Sequence, residues 1–209
     1  MVEVAQPFVS GVVLAAGSSN RMGRPKQLLP LRDRPLLQHV VDAALASCLD
    51  EIVLVLGHRA REIERALALP AGDRVRVAVN SEHARGQSSS LRLGLRSTSQ
   101  RAMAAAVLLG DQPGVSAQII DRVVAAFLGA GGVAARPEYS TADGGRIPGH
   151  PVLLSRGIWS ELAELRGDEG ARAVLAARPD WLLAVEVEGE PPGDIDTPDD
   201  YRRALGASC

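Results

Sequence analysis

The sequence predicts a three-layer α/β fold, a mostly parallel central sheet flanked by helices, in one domain spanning residues 1–209. Three observations carry that expectation. Apolar runs of strand length alternate with amphipathic stretches of helix length, the pattern of parallel strands joined by crossover helices. The apolar 46% is dominated by Ala, Val and Leu, with only two each of Trp, Tyr and Phe, which suits helices packed on a buried parallel sheet. A chain of 209 residues is long enough for one sizeable core without a second domain.

The elements follow in order. Residues 9–14 form the first strand, which ends in a loop holding Gly17 and Gly23. Pro35 stands in the first turn of a helix to residue 47, with Leu36, Leu37, Val40, Val41, Ala44 and Leu45 on one face. Residues 51–56 are a strand closed by Gly57, residues 59–69 an amphipathic helix, and residues 75–79 a strand leading to Asn80. Residues 86–95 read as a small-residue loop opening a helix, with Ser88, Ser89 and Ser90 available as caps. Residues 104–109 are a very apolar strand ending in Gly110-Asp111-Gln112-Pro113, and Ser116 caps a helix to residue 129. The rhythm then loosens. Residues 131–135 read as a strand, 139–149 as a loop or hairpin tip, and 150–154 as a strand. Ser155 caps a helix through residue 165, a short helix follows over 167–177, and 181–187 is the last strand. Thr197 is the N-cap of a terminal helix over 198–205.

Composition excludes several classes of partner. A net charge of −2 and a pI near 6.1 give no basic stripe, and so few aromatics give no stacking platform, so no nucleic acid is expected. Cys48 and Cys209 have no ligand-like spacing and read as the plain thiols of a cytoplasmic protein. Residues 1–7 carry no targeting pattern and no run approaches a membrane span, so a cytoplasmic chain with no membrane partner is expected.

In an open α/β sheet, ligands bind beyond the carboxyl ends of the strands. The loop after the first strand reads Leu14-Ala15-Ala16-Gly17-Ser18-Ser19-Asn20-Arg21-Met22-Gly23-Arg24-Pro25-Lys26. Glycine lets backbone approach an anion closely, and arginine and lysine meet phosphate charge. Lys26 is the chain's one lysine, every other basic side chain being arginine or histidine, which points to a site needing a compact, mobile ammonium. Asn80, the run from Gly86 through Gln87, Ser88, Ser89 and Ser90, and Asp111 lie at the same predicted edge. Neither common phosphate template fits. Gly23 is followed by Arg24-Pro25-Lys26, not by the Gly-Lys-Ser/Thr of a Walker loop, and the second strand ends in Gly57-His58-Arg59 without the ribose-binding acid of a dinucleotide site. His39, His58 and His83 have no carboxylate at useful spacing and receive no role, and Arg92 and Arg96 read as a solvated helix face.

The spacing of Gly17, Arg21, Gly23 and Lys26, taken as a unit, resembles the signature of nucleotidyltransferases of the MobA-like NTP transferase superfamily. Within it the chain is most similar to the MocA-like molybdenum cofactor cytidylyltransferases. The further motifs that carry the resemblance are Gly86-Gln87-Ser88-Ser89-Ser90-Leu91, Leu109-Gly110-Asp111-Gln112-Pro113, Gly149-His150-Pro151-Val152, Gly167-Asp168-Glu169-Gly170-Ala171-Arg172 and Asp194-Ile195-Asp196-Thr197-Pro198. The resemblance implies a three-layer Rossmann-like nucleotidyltransferase fold, its nucleotide-binding part about 9–115 and its acceptor-binding part about 116–209.

It implies a reaction as well: an acceptor phosphate attacks the α-phosphorus of a nucleoside triphosphate, CTP foremost, and pyrophosphate leaves. Arg21, Lys26 and Asp111 are then the catalytic residues, and Asp111 and Asp196 the carboxylates for Mg2+. Leu14, Ala15, Ala16, Gly17, Ser18, Arg21, Gly23, Lys26, Asn80, Gly86, Gln87, Ser88 and Ser90 surround the nucleotide. The implied acceptor is a small phosphorylated molecule of molybdopterin type, with a molybdoenzyme receiving the product. His150 orients the acceptor or merely starts a strand, and Asp168 and Arg172 face the acceptor phosphate or pair one helical turn apart. The alternatives are a cytidylyltransferase or guanylyltransferase for another phosphorylated acceptor, a nicotinamide-dependent oxidoreductase on the same fold, and a non-catalytic nucleotide-binding module.

Overall fold

A computed structural model describes residues 6–141 and 144–206, so the readings made on residues 1–5 and on Cys209 lie outside the described residues. The strands are β1 (Val9–Ala15), β2 (Pro30–Leu31), β3 (Arg34–Pro35), β4 (Glu51–Leu56), β5 (Val75–Val79), β6 (Ala104–Leu109), β7 (Ala134–Ser140), β8 (Arg146–Pro148), β9 (Val152–Ser155) and β10 (Leu182–Glu188). The helices are α1 (Leu36–Ala46), α2 (Ala60–Ala66), α3 (Gln87–Ser97), α4 (Ala117–Ala130), α5 (Trp159–Leu162), α6 (Ala171–Ala177) and α7 (Pro198–Gly206). The main sheet runs β10-β7-β9-β6-β1-β4-β5, with β8 paired to β7 and with β2 and β3 forming a separate ribbon. β1 pairs in parallel with β4 and β6, β4 with β5, and β7 with β10. Only β9 enters the main path antiparallel, between β6 and β7.

Alternation along the buried strands builds the three layers. Val13 of β1 and Ile52, Leu54 and Leu56 of β4 face one core, shared with Leu37, Val40 and Val41 of α1 and Ile120 and Val123 of α4. Val12, Val53 and Val55 face the opposite core, with Leu91 and Leu95 of α3, Leu162 of α5 and Leu175 of α6. Each of these side chains is almost wholly removed from water. A central strand buried on both faces reads as a continuous apolar run, which is why β1, β4 and β6 are plain in the sequence.

Several boundaries differ from expectation, each for a local reason. The helix expected over 59–69 stops at Ala66 because Leu69 precedes Pro70, which disfavours helical backbone there. The freed Ala68 is held instead by Gln38, whose Oε1 accepts its N–H at 2.8 Å. The helix expected over 155–165 is a 3-10 turn followed by only four α-helical residues. Its continuation, Glu164 to Glu161 and Leu165 to Leu162, uses the tighter i to i+3 bonds. Ser155 does cap it, accepting from Gly157 N–H at 3.3 Å, and Ser116 caps α4 at Ile119 N–H, also at 3.3 Å.

The strand expected over 131–135 begins at Ala134 and continues to Ser140, and of the loop or hairpin expected over 139–149, Arg146–Pro148 form β8, paired antiparallel with Glu138–Ser140. Pro35 precedes α1 as its N-cap and does not lie in its first turn. The serines expected to cap α3 lie inside it and are buried, and Gly86 occupies the cap position. Thr197 and Asp200 form a reciprocal capping box at α7: Thr197 Oγ1 accepts Asp200 N–H at 3.2 Å and Asp200 Oδ2 accepts Thr197 N–H at 2.7 Å. Among the described residues no helix is long and apolar enough to cross a membrane.

Candidate functional site

Chain order reverses beside β1, which pairs with β4 on one side and β6 on the other, and that switch point opens a crevice at their carboxyl ends. A cleft of about 840 Å³ lies there, bounded by the loop after β1, the start of α3, Asp111 after β6 and the 194–196 segment. Of the residues assigned from sequence, Leu14, Ala15, Ala16, Gly17, Ser18, Lys26, Gly86, Gln87, Ser90, Asp111 and Asp196 line it.

The remaining four, Arg21, Gly23, Asn80 and Ser88, are not part of its lining. Arg21 reaches Asp196 Oδ2 with Nη2 at 3.1 Å, a largely exposed guanidinium beside the carboxylate. Gly23 adopts φ +66°, the left-handed conformation that turns the loop back toward Lys26. Asn80 is buried behind the wall, donating through Nδ2 to Ser89 Oγ and Ser90 Oγ, both at 2.9 Å, while its Oδ1 accepts Glu82 N–H at 2.9 Å. It therefore braces the serine run. Ser88 lies buried on the far side of the same turn.

Three groups meet at the mouth of the cleft. Lys26 Nζ donates to Asp111 Oδ2 and to Asp196 Oδ1, both at 2.6 Å, with only 14% of the lysine side chain exposed. Burial alone draws the ammonium's pKa down, but the charge of Asp111, hydrogen bonds to both carboxylates and the charge of Asp196 outweigh it, and the net direction is upward. The hydrogen bond from Lys26 holds the Asp196 carboxyl below its ordinary pKa; burial opposes this, and the charges of Lys26 and Arg21 add to the lowering.

Asp111 and Asp196 meet because Ile195 anchors the later segment: its N–H donates to Asp111 C=O at 3.0 Å, and its side chain is buried against Leu29 and Leu36. With Ile195 turned inward, its neighbours Asp194 and Asp196 both reach the cleft.

The structure adds residues that the sequence did not single out. Gln27 is buried beneath the phosphate-type loop, donating to Ala15 C=O at 2.9 Å and Gly17 C=O at 3.0 Å. Asp194 lines the cleft and accepts from Gln112 Nε2 at 2.7 Å. His58 and His83, given no role from sequence, also line it, their rings edge to face at 6.1 Å. The signal for Gln27 was its place directly after the lone lysine. That for Asp194 was its i, i+2 relation to Asp196.

A second pocket of about 280 Å³ adjoins the cleft, sharing Leu14, Gln87, Leu109 and Asp168 with it. Its floor is apolar, with Leu91, Val107 and Val152, and its polar groups are Arg136, His150, Asp168 and Arg172. Burial pushes the His150 imidazole down to about 4; the charge of Asp111 opposes this and that of Arg136 reinforces it. His150 is thus neutral at physiological pH and can donate one hydrogen bond and accept another. Asp168 precedes α6, which starts at Ala171, so Asp168 and Arg172 are not one turn apart on a single helix. Asp168 Oδ1 instead accepts Gln87 N–H at 3.4 Å, across the seam between cleft and pocket.

The donor set bears on whether a divalent ion fits here. Among the described residues no group of three or more His, Cys, Asp or Glu side chains forms a cage. Asp111 Oδ1, however, is buried without a hydrogen-bond partner beside a second carboxylate. Two carboxylates with an open oxygen suit a hard cation that completes its shell with phosphate and water, as magnesium does.

The chain is similar to known proteins in sequence and fold. Residues 11–181 match the MobA-like NTP transferase domain. The chain is 34% identical over 95% of its length, and 97% of the relative's, to nicotine blue oxidoreductase of Paenarthrobacter nicotinovorans. It is 33% identical to purine catabolism protein PucB of Bacillus subtilis, covering 95% of this chain and 98% of that one. Among solved structures it is similar to Rv0371c of Mycobacterium tuberculosis H37Rv in complex with manganese, with a TM-score of 0.79, 36% identity, and coverage of 96% of this chain and 98% of that one. With its Rossmann-like three-layer sheet and its site at the switch point, the chain belongs to the MobA-like NTP transferase family.

Proposed function

We propose that the protein is a Mg2+-dependent cytidylyltransferase that transfers CMP from CTP to the phosphate of a molybdopterin-type acceptor, releasing pyrophosphate. The observation that supports this reading most directly is the meeting of Asp111, Asp196 and Lys26 in the lining of a nucleotide-sized cleft that a smaller, largely apolar pocket adjoins. The manganese complex of Rv0371c, a relative matched over nearly its whole length, supports a divalent ion.

In this reading the base and ribose lie against Ala15, Ala16 and Gly17 and against the wall from Gly86 to Ser90, which Asn80 braces. Amides of Gly17 and Ser18, with Arg21 and Lys26, receive the triphosphate. The acceptor ring system occupies the apolar pocket, where Arg136 and Arg172 offer positive charge and neutral His150 a directed hydrogen bond. An acceptor phosphate oxygen then bonds to the α-phosphorus as the bond to the pyrophosphate oxygen breaks. Asp111 and Asp196 would hold the metal, which supplies charge neutralisation on the phosphoryl oxygens. Lys26 stabilises the negative charge that builds on the α-phosphoryl group.

The test is incubation with Mg2+, each nucleoside triphosphate in turn and the molybdenum-bearing pterin, following pyrophosphate and dinucleotide. Turnover is expected with CTP, and Asp111→Asn is expected to abolish it with the melting temperature retained. Absence of pyrophosphate with every triphosphate overturns the reading, and preference for GTP or ATP reassigns the base. The name of the Paenarthrobacter relative favours one second reading, a nicotinamide-dependent oxidoreductase acting on a dye-like molecule. Nicotinamide oxidation with a dye acceptor, measured in parallel, is the result expected of it. The end of β4 in Gly57-His58-Arg59, without a ribose-binding acid, counts against it.

A further inference from the structure

We propose that in the ligand-free protein Lys26 holds the seat of the metal, and that its ammonium leaves the two carboxylates only when a triphosphate is present to receive it, so that cation and nucleotide enter together. The inference rests on the preceding reading of Asp111 and Asp196 as metal ligands.

Charge balance is the first argument. Asp111 and Asp196 carry two negative charges, and Lys26 and Arg21, bonded to them at 2.6, 2.6 and 3.1 Å, carry two positive ones. A divalent cation approaching this set meets a neutral cluster with an ammonium between the very oxygens it would use. Expelling Lys26 with no new partner would strand a poorly exposed charge in the cleft, at a cost that opposes binding of the metal alone. Phosphate oxygens remove that cost by accepting the ammonium in charge-assisted hydrogen bonds.

The second argument is which parts are fixed. Asp196 is tied at its backbone by Asp200 Oδ2, which accepts its N–H at 3.1 Å, and through Ile195 to Asp111 C=O. The backbone of Lys26 is tied as well, its N–H donating to Ser19 Oγ at 3.1 Å. The four-carbon lysine stem is therefore the part free to swing. A lysine ammonium can exchange one set of oxygens for another by rotation, whereas the planar fork of arginine is fixed to one geometry. That difference accounts for a lone lysine in a chain that otherwise uses arginine. Asp111 Oδ1, buried and without a partner, gives an arriving cation one oxygen that Lys26 does not already occupy.

The experiment measures Mn2+ binding by electron paramagnetic resonance for wild type and Lys26→Met, with and without the non-hydrolysable α,β-methylene analogue of CTP. Without nucleotide, Lys26→Met is expected to bind Mn2+ roughly ten-fold tighter, since two charge-assisted contacts no longer compete. The analogue should tighten Mn2+ binding to wild type by a similar factor and to the variant far less, because coupling between two ligands is reciprocal. Equal or weaker Mn2+ binding by the variant without nucleotide overturns the inference. Turnover in the preceding assay together with that result leaves the cytidylyltransferase reading intact, whereas no turnover with a tighter-binding variant leaves Lys26 as seat-holder and removes the reading.

Should Lys26→Met fail to fold, the wild type supplies the test, because lysine-selective isotope labelling gives a single side-chain resonance. That resonance is expected to stay in place with Mg2+ alone and to move with Mg2+ and the analogue together. The same displacement by Mg2+ alone overturns the proposal.

Discussion

Replacement of Gln27 by methionine tests whether the loop after β1 owes its shape to one buried amide. Gln27 is 2% exposed, and its Nε2 donates to Ala15 C=O at 2.9 Å and Gly17 C=O at 3.0 Å while its Oε1 accepts from Ser19 Oγ at 3.3 Å. Methionine keeps the volume and removes all three bonds. The Ala15 carbonyl belongs to a buried residue, so losing its donor costs about 1–2 kcal/mol. Gly17 is exposed and its carbonyl can turn to water, so that bond is worth about 0.5–1 kcal/mol, and the long Ser19 contact about 0.5 kcal/mol. The expected loss is therefore about 2–3.5 kcal/mol. It should appear in urea denaturation as a lower midpoint at unchanged slope. Because Ser19 sits at φ +56° and also accepts Lys26 N–H, the loop should lose its preset form, and affinity for the CTP analogue should fall with stability. Gln27→Glu should be worse than methionine at neutral pH, since it turns a carboxylate toward two carbonyl oxygens. A methionine variant within about 0.5 kcal/mol of wild type refutes the reasoning.

Two further outcomes follow from the second pocket and from the wall. The folded-state pKa of His150 is lowered from 6.5 to about 4, so between those values the unfolded chain binds a proton that the folded protein does not. The stability this contributes is present above about pH 6.5 and is lost as pH falls toward 4, by at most about 3 kcal/mol; His150→Asn should flatten the pH dependence of urea denaturation across that window, and an unchanged profile contradicts burial of a neutral imidazole. Gly86→Ala is expected to cost about 2–4 kcal/mol in the same assay and to weaken nucleotide binding, because its φ is +97° and the added methyl would lie 2.2 Å from the carbonyl carbon of Gly167. Wild-type stability in that variant would mean that the α3 entry and the 167–168 segment do not touch.

The parts of the fold legible in the sequence were those whose signal is local. β1, β4, β5 and β6 are apolar runs closed by Gly, Asn or the end of the run, and the helices between them carry one apolar stripe each. The antiparallel placement of β9 was not legible, since an apolar run of four residues carries no mark of direction. The β2–β3 ribbon escaped notice because it is two residues on each side and begins and ends in proline. In the site, Asp111 could be placed because it follows a strand whose end faces the crevice, and Lys26 because it stands alone in type. Asp196 came from the family resemblance, and its juxtaposition with Asp111 depends on Ile195 finding the small core of Leu29 and Leu36, a contact across more than a hundred and fifty residues. Gln27 carried no signal beyond its place directly after Lys26, because a buried amide acquires its role from the carbonyls that fold around it.

The two recesses differ in what lines them, and the difference bears on how each could change. The lining of the cleft sets small residues, Ala15, Ala16, Gly17, Gly86 and Gly110, beside charged side chains, Lys26, Asp111, Asp194 and Asp196. At Gly86 the chain approaches Gly167 so closely that an added methyl would displace backbone, whereas Gly17 has open space around it. The adjoining pocket meets a ligand with side chains, Arg136 from β7, His150 before β9 and Arg172 from α6, set over an apolar floor. Those side chains can be exchanged without moving the sheet that carries them. Substitutions at Arg136, His150 and Arg172 should therefore alter which acceptor is used while leaving nucleotide and metal binding in place, and the acidic pair with Lys26, in the cleft that the pocket adjoins, would serve whichever acceptor the pocket admits.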